Sequence, residues 1–307
     1  MKGLAAMGRQ DTTTAVVTVG EAVVPYYVSG AHNSETPPLV LVHGTGGTMA
    51  KHFATLGPML AEHHRVIGMD LSDSVRNDTD GLTVDDLVAQ IRAVIVAAAP
   101  GEQVALIGYS LGAMASAATA ARYPELVAEV VLIAGFATTD PFLRLKTNLW
   151  AELYARSLYE RDDAALVDYM IQSIYGSPFL ASKSWREIEG LRAEYSVGPG
   201  SSRQMALASD VDIARELTNV QARTLVIGCT YDALVPIKHS RELFGLIHDA
   251  YFAEVQCGHA VLSERPAELF GLVHRFVTRQ GTSRIIGENA LLQQLSGHAR
   301  PKMKEVS

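Results

Sequence analysis

Cysteine is scarce in this chain of 307 residues, which holds only Cys229 and Cys257. Two thiols cannot make a disulfide framework, and they lack the clustered spacing of a metal site, so they read as small buried hydrophobes. Long apolar runs are missing as well. No stretch reaches the roughly 18 to 20 residues that a bilayer-spanning helix requires. The opening "MKGLAAMGRQ" turns polar too soon for a secretory core, which makes the cytoplasm the expected location and a membrane an unexpected partner. Positive charge is also in short supply. The formal net charge is -7, and no Lys/Arg-rich stretch is interleaved with aromatics, so nucleic acid is not an expected partner. The glycines of "HGTGG" fit neither a phosphate-cradling loop nor a dinucleotide fingerprint, and no histidines pair on a helix face. No cofactor and no metal are expected.

What is present is the composition of an ordinary globular chain, 48% hydrophobic and 19% charged. "AVVTVGEAVVPYYVSG" reads as an antiparallel hairpin turning at Gly20-Glu21. The runs "PLVLVHG", "HRVIGMD", "QVALIGY", "AEVVLIAG", "RTLVIGC" and "AYFAEVQC" read as strands. Their continuous rather than alternating hydrophobicity implies burial on both faces, as in a parallel sheet. Helical patterns fall between them, near 48–62, 83–98, 111–122, 238–248 and 264–279, the second opened by Thr83 ahead of an acidic pair. The alternation lapses over 139–215, where "LRLKTNLWAELYARSLYERDDAALVDYMIQSIYG" and "SWREIEGLRAEY" read as amphipathic helices. The chain therefore divides into an α/β part at 15–138, an all-helical insertion at 139–215, a second α/β part at 216–280, and a weakly patterned tail at 281–307 expected to be flexible.

One short motif carries chemistry. In "LIGYSLGAM" a strand runs straight into a helix with Ser110 at the bend, flanked at two residues on either side by Gly108 and Gly112. Such a bend lifts the serine above the sheet edge, and the glycines relieve the crowding around it. The helix opening at Leu111 aims its free N–H groups and positive dipole end at any developing negative charge. A serine hydroxyl is a weak nucleophile, so a base, an orienting acid and oxyanion donors must converge on it from elsewhere.

At this point the chain resembles the α/β-hydrolase fold family over residues 15 to 280. "LVLVHGTGG" resembles the family's His-Gly loop, "TLVIGCTYDALVP" the strand and loop that deliver the acid, and "VQCGHAVLSERPAEL" the loop that delivers the base. The resemblance implies a mostly parallel eight-stranded sheet flanked by helices, with the helical insertion as a cap. It also implies Ser110 as nucleophile, Asp232 as acid and His259 as base, with oxyanion N–H groups from Thr45 and Leu111. His43 corresponds to a structural loop histidine and Asp70 to a structural aspartate, although "DLSDSVRN" lacks the glycines that commonly follow that position. Asp140, after another strand, stands as a minor alternative acid. Strands ending near Cys229 and Cys257 would be neighbours, which makes a disulfide between them a hypothesis. Dehalogenases and epoxide hydrolases of the family place aspartate at the elbow, so Ser110 disfavours both reactions.

The expected activity is hydrolysis of an ester or thioester of a small to medium, mostly apolar substrate through an acyl-enzyme on Ser110, with water as second substrate. Carbon–carbon bond hydrolysis or a lyase step with the same residues is the alternative, and a ligand-binding protein on the hydrolase scaffold a third reading. Gly44, Tyr109, Phe53, Trp150 and Tyr154 are the expected substrate contacts, with His52 or Phe53 lining the entrance. Whether copies of the chain associate is left open, because no apolar stripe can be told from core.

Overall fold

The computed structural model describes residues 12–30, 36–73, 81–195 and 201–280, so the tail beyond 280 and the first residues lie outside it. Its frame is an eight-stranded sheet in the order β1-β2-β4-β3-β5-β6-β7-β8. The strands are β1 Thr13–Val19, β2 Ala22–Ser29, β3 Leu39–Val42, β4 Val66–Met69, β5 Val104–Tyr109, β6 Val127–Ile133, β7 Arg223–Cys229 and β8 Ala250–Val255. β1 and β2 form the expected hairpin, β2 pairs antiparallel with β4, and every later pairing is parallel.

Both faces of the central strands are apolar, which is why their sequences read as unbroken runs. Val40, Val42 and Leu106 turn to a core shared with helices α3 (Val84–Ala98), α4 (Leu111–Arg122) and α10 (Ile237–Leu246). Leu39, Leu41 and Ile107 turn to the opposite core, closed by α2 (Leu56–Ala61) and α12 (Pro266–Val277). Local signals set the helix ends. Thr83 and Asp86 form a reciprocal capping box at α3, and Asp140 caps α5 (Pro141–Glu160) with Pro141 at its first turn.

One expected helix is broken. The pattern at 48–62 resolves into α1 (Met49–His52) and α2, because Pro58 supplies no N–H to continue the ladder and its ring crowds the preceding turn. That at 264–279 is α12, and the residue before Pro266, steered out of helical geometry, separates it from the short α11 (Val261–Glu264) that precedes it. Between β6 and β7 lie α5, α6 (Ala164–Ile174), α7 (Ser177–Ala181), α8 (Trp185–Glu194) and α9 (Ser201–Ala208). The long amphipathic run ends α5 at Arg161, which takes a left-handed conformation, before α6 begins.

Where α12 meets the end of α2, buried His64 sits between the Thr36 hydroxyl at 3.2 Å and Nδ1 of His274 at 3.0 Å. Burial first, then the neighbouring His274 and His63, pull its pKa from 6.5 down to about 4. The unfolded chain therefore takes up a proton that the folded chain refuses, so stability is full above about pH 6.5 and falls as pH drops towards 4. Urea unfolding at pH 7 and pH 5 is expected to show a loss of which about 1 kcal/mol disappears in His64→Gln. An unchanged pH slope in the variant would place the acid sensitivity elsewhere.

Candidate active site

The carboxyl ends of β3, β5, β7 and β8 face one cavity, and each contributes a loop to it. From β5 the chain turns into α4 at Ser110, whose φ of 56° and ψ of -119° hold it at the crest of the bend. Its N–H donates to the Ile133 carbonyl at 2.8 Å, which ties the bend to β6. The flanking glycines are sterically required. A Cβ on Gly112 would lie 2.3 Å from the Val42 carbonyl oxygen, and one on Gly108 2.3 Å from that of Gly112.

The loops after β7 and β8 are laced together, Thr230 N–H donating to Val255 and Tyr231 N–H to Cys257. This brings Asp232 and His259 beside Ser110. His259 Nε2 stands 2.9 Å from Ser110 Oγ, and its Nδ1 stands 2.7 Å from Asp232 Oδ2. The other carboxylate oxygen of Asp232 accepts the N–H groups of Leu234 and Val235 at 2.9 and 2.8 Å. All three side chains are buried. Tyr109 stacks at a tilt against the imidazole and donates its hydroxyl to the His259 carbonyl at 3.0 Å. Burial, reinforced by the charge of Asp232, pushes that phenol well above its ordinary pKa, so it stays a donor.

The loop after β3 supplies Gly44, Thr45 and Gly46 to the cavity wall. Among the described residues, no acceptor takes the N–H of Thr45 or of Leu111. The second is one of the four N–H groups that a helix cannot satisfy itself. Buried His43 braces this loop, with Nδ1 2.8 Å from the Gly44 carbonyl and Nε2 accepting from Leu71 N–H at 2.9 Å. It is structural, as is Asp70, which accepts from Met49 N–H and the Tyr27 hydroxyl. Gln204 of α9 reaches back to accept Gly46 N–H at 2.8 Å. That contact joins residues 158 positions apart and leaves no local trace in the sequence.

The helical insertion roofs a cavity of about 360 Å³. Phe136, Leu143, Trp150, Met170, Ile174 and Met205 give it a mainly apolar wall. The insertion is fastened to the histidine loop. Glu264 accepts N–H groups from both Gly176 and Gly258, at 2.8 and 3.1 Å, and Ala260 donates to the Ile174 carbonyl at 2.8 Å. The backbones approach so closely that a Cβ on Gly258 would fall 2.1 Å from Gly176 N.

Of the expected substrate contacts, Gly44, Tyr109 and Trp150 line this cavity, while two do not. Phe53 is buried among Leu39, Leu41 and Leu56, and its neighbour His52 lines the wall instead. Tyr154 stacks on Trp150 at 4.9 Å from behind. Asp140, the alternative acid, caps α5 and pairs with Lys238, leaving His259 to Asp232. Cys229 and Cys257 stand as free, buried thiols. Their mutual hydrogen bond, followed by burial, raises the pKa of Cys229 well above its usual value.

His52 accepts Gly44 N–H on Nδ1 at 3.1 Å, and burial, with His43 and His259 nearby, draws its pKa down to about 3. It is a neutral ring whose proton sits on Nε2. Among the described residues no group of His, Cys, Asp and Glu has the arrangement of a metal site. None of the described helices is long and apolar enough to cross a membrane.

Comparison with known proteins identifies the fold family. Residues 37–266 match the family described as the alpha/beta hydrolase fold. The chain is 32% identical over 271 residues to pyrrolizixenacetamide deacetylase of Xenorhabdus hominickii, an alignment covering 85% of this chain and 97% of that protein. It is 25% identical to 2-hydroxy-6-oxo-6-phenylhexa-2,4-dienoate hydrolase of Burkholderia cepacia, over 81% of this chain and 91% of that one. Among solved structures, MGS-M2, an alpha/beta hydrolase enzyme from a Medee basin deep-sea metagenome library, superposes with a TM-score of 0.74. It is 20% identical, and the match covers 95% of this chain and 100% of that one. Fold, sequence profile and relatives agree, and the chain belongs to the α/β-hydrolase fold family, in its serine hydrolase class.

Proposed function

We propose that Ser110, His259 and Asp232 form a catalytic triad that cleaves an ester or thioester of a small to medium, mostly apolar substrate through an acyl-enzyme. The observation that carries this reading is the unbroken chain of hydrogen bonds from Asp232 Oδ2 through the imidazole to Ser110 Oγ, on the wall of an apolar cavity. The cavity's volume is that of a site for a small ligand.

His259 Nε2 takes the Ser110 proton as Oγ attacks the substrate carbonyl, and the resulting alkoxide accepts the N–H groups of Thr45 and Leu111. Collapse of this intermediate returns the proton from His259 to the leaving oxygen or sulfur. Water then repeats the sequence on the acyl-enzyme and releases the carboxylic acid. Asp232 keeps its charge throughout and stabilises the imidazolium. Helices α5 to α9 serve as the cap that excludes bulk water and selects the substrate.

Amide hydrolysis is a second reading, favoured by the deacetylase named at 32% identity. A fluorophosphonate probe is expected to label Ser110, with labelling lost in Ser110→Ala and slowed at least a hundredfold in His259→Ala. Labelling undiminished in the histidine variant would mean that another base activates the serine. Matched nitrophenyl esters, thioesters and anilides then rank the leaving groups. Turnover of anilides at rates comparable to esters would replace the ester reading by the amide one.

A further inference from the structure

Three formally charged side chains line the cavity: Lys51, Lys146 and Glu194. Lys51 and Glu194 are exposed, whereas Lys146, on the inner side of α5, is partly buried. Its ammonium makes one long hydrogen bond, to Ser173 Oγ at 3.3 Å, and lies 5.2 Å from the Tyr169 ring centre and 5.7 Å from that of Phe142. Among the described residues no carboxylate stands within ion-pair distance of it. Lys238, also beside Phe142, has by contrast Asp140 as its partner.

A partly buried ammonium with three donors and one poor acceptor is under-compensated, and aromatic faces make up only part of the deficit. The carboxylate whose field reaches it belongs to Asp232, and both oxygens of that group are already committed to His259 and two backbone N–H groups. Burial accordingly pulls the Lys146 pKa below its ordinary value, against that field. The cation thus faces a mainly apolar cavity that contains Ser110, and the one carboxylate on its wall, the exposed Glu194, makes no ion pair with it among the described residues.

The geometry points to Lys146 as the counter-ion for a single carboxylate carried by the substrate, so that the natural substrate is an acyl compound with an apolar body and one anionic end. This deepens the triad reading and rests on it. The carboxylate belongs either to the acyl portion or to the leaving group, and two substrate pairs separate these sources. The acyl pair is mono-4-nitrophenyl glutarate against its methyl ester; the leaving-group pair is 4-acetoxybenzoate against its methyl ester.

In the wild type, kcat/KM is expected to favour the anionic member of one pair over its neutral twin by about tenfold or more, through a lower KM. Lys146→Met keeps the apolar stem and is expected to abolish that ratio, while Lys146→Arg retains most of it. Protection of Ser110 from the fluorophosphonate probe by glutarate, compared with its dimethyl ester, reads the same preference without turnover. Labelling of Ser110 by the probe alone reports separately on the triad. No anionic preference in either pair and no selective protection by glutarate would overturn the assignment, as would a preference that survives intact in a folded Lys146→Met protein.

Discussion

Asparagine at position 232 is expected to lower kcat by about ten-thousandfold while leaving the fold intact. The reason lies in which way the amide must face. Oδ1 of Asp232 accepts from Leu234 and Val235 N–H at 2.9 and 2.8 Å, and only the carbonyl oxygen of an asparagine can take that place. The NH2 group then turns to His259 and donates to Nδ1, which forces the ring proton onto Nε2. That nitrogen, 2.9 Å from Ser110 Oγ, would offer a proton where it must accept one. Steady-state turnover and the rate of probe labelling should fall together in Asp232→Asn, with unfolding midpoints nearly unchanged. A loss below tenfold would mean that Asp232 does not set the tautomer.

The second large effect concerns Ser110 itself and separates chemistry from stability. Removing the nucleophile is expected to cost about a millionfold in kcat, whichever small residue replaces it. Stability should distinguish the replacements. At φ 56° and ψ -119° a side chain with a Cβ is strained by roughly 1 to 3 kcal/mol, and glycine is not. Ser110→Gly is therefore expected to be about 1 kcal/mol more stable to urea than Ser110→Ala, since both lose the same hydrogen bond to His259. Equal stabilities would show that the bend stores no strain.

The parts of this molecule legible in its sequence are those where chemistry and backbone coincide in a few consecutive residues. Ser110 could be found because the elbow needs a strand, two glycines and a helix within one short segment. Asp232 and His259 came into view through the resemblance of "TLVIGCTYDALVP" and "VQCGHAVLSERPAEL" to the family's acid and base loops, not through any pattern of their own. Of the two neighbours expected at the entrance, His52 lines the cavity and Phe53 is buried in the core, a choice the sequence leaves open because α1 is only four residues long and its register cannot be read from so short a stretch. Tyr154 lies one turn beyond Trp150 on the same stripe of α5, and periodicity does not say where along a stripe the cavity ends. Gln204 and Glu264 act across loops distant in the chain, so only the folded molecule reveals them.

The seam where Glu264 gathers the backbones of Gly176 and Gly258 restricts how this protein can be recombined with its relatives. A hybrid that imports a foreign roof without glycine at its 176 equivalent would wedge a methyl group into the strap behind His259 and tilt the imidazole off the hydroxyl. Roof and strap therefore have to be inherited together, and laboratory shuffling should place its crossovers outside both.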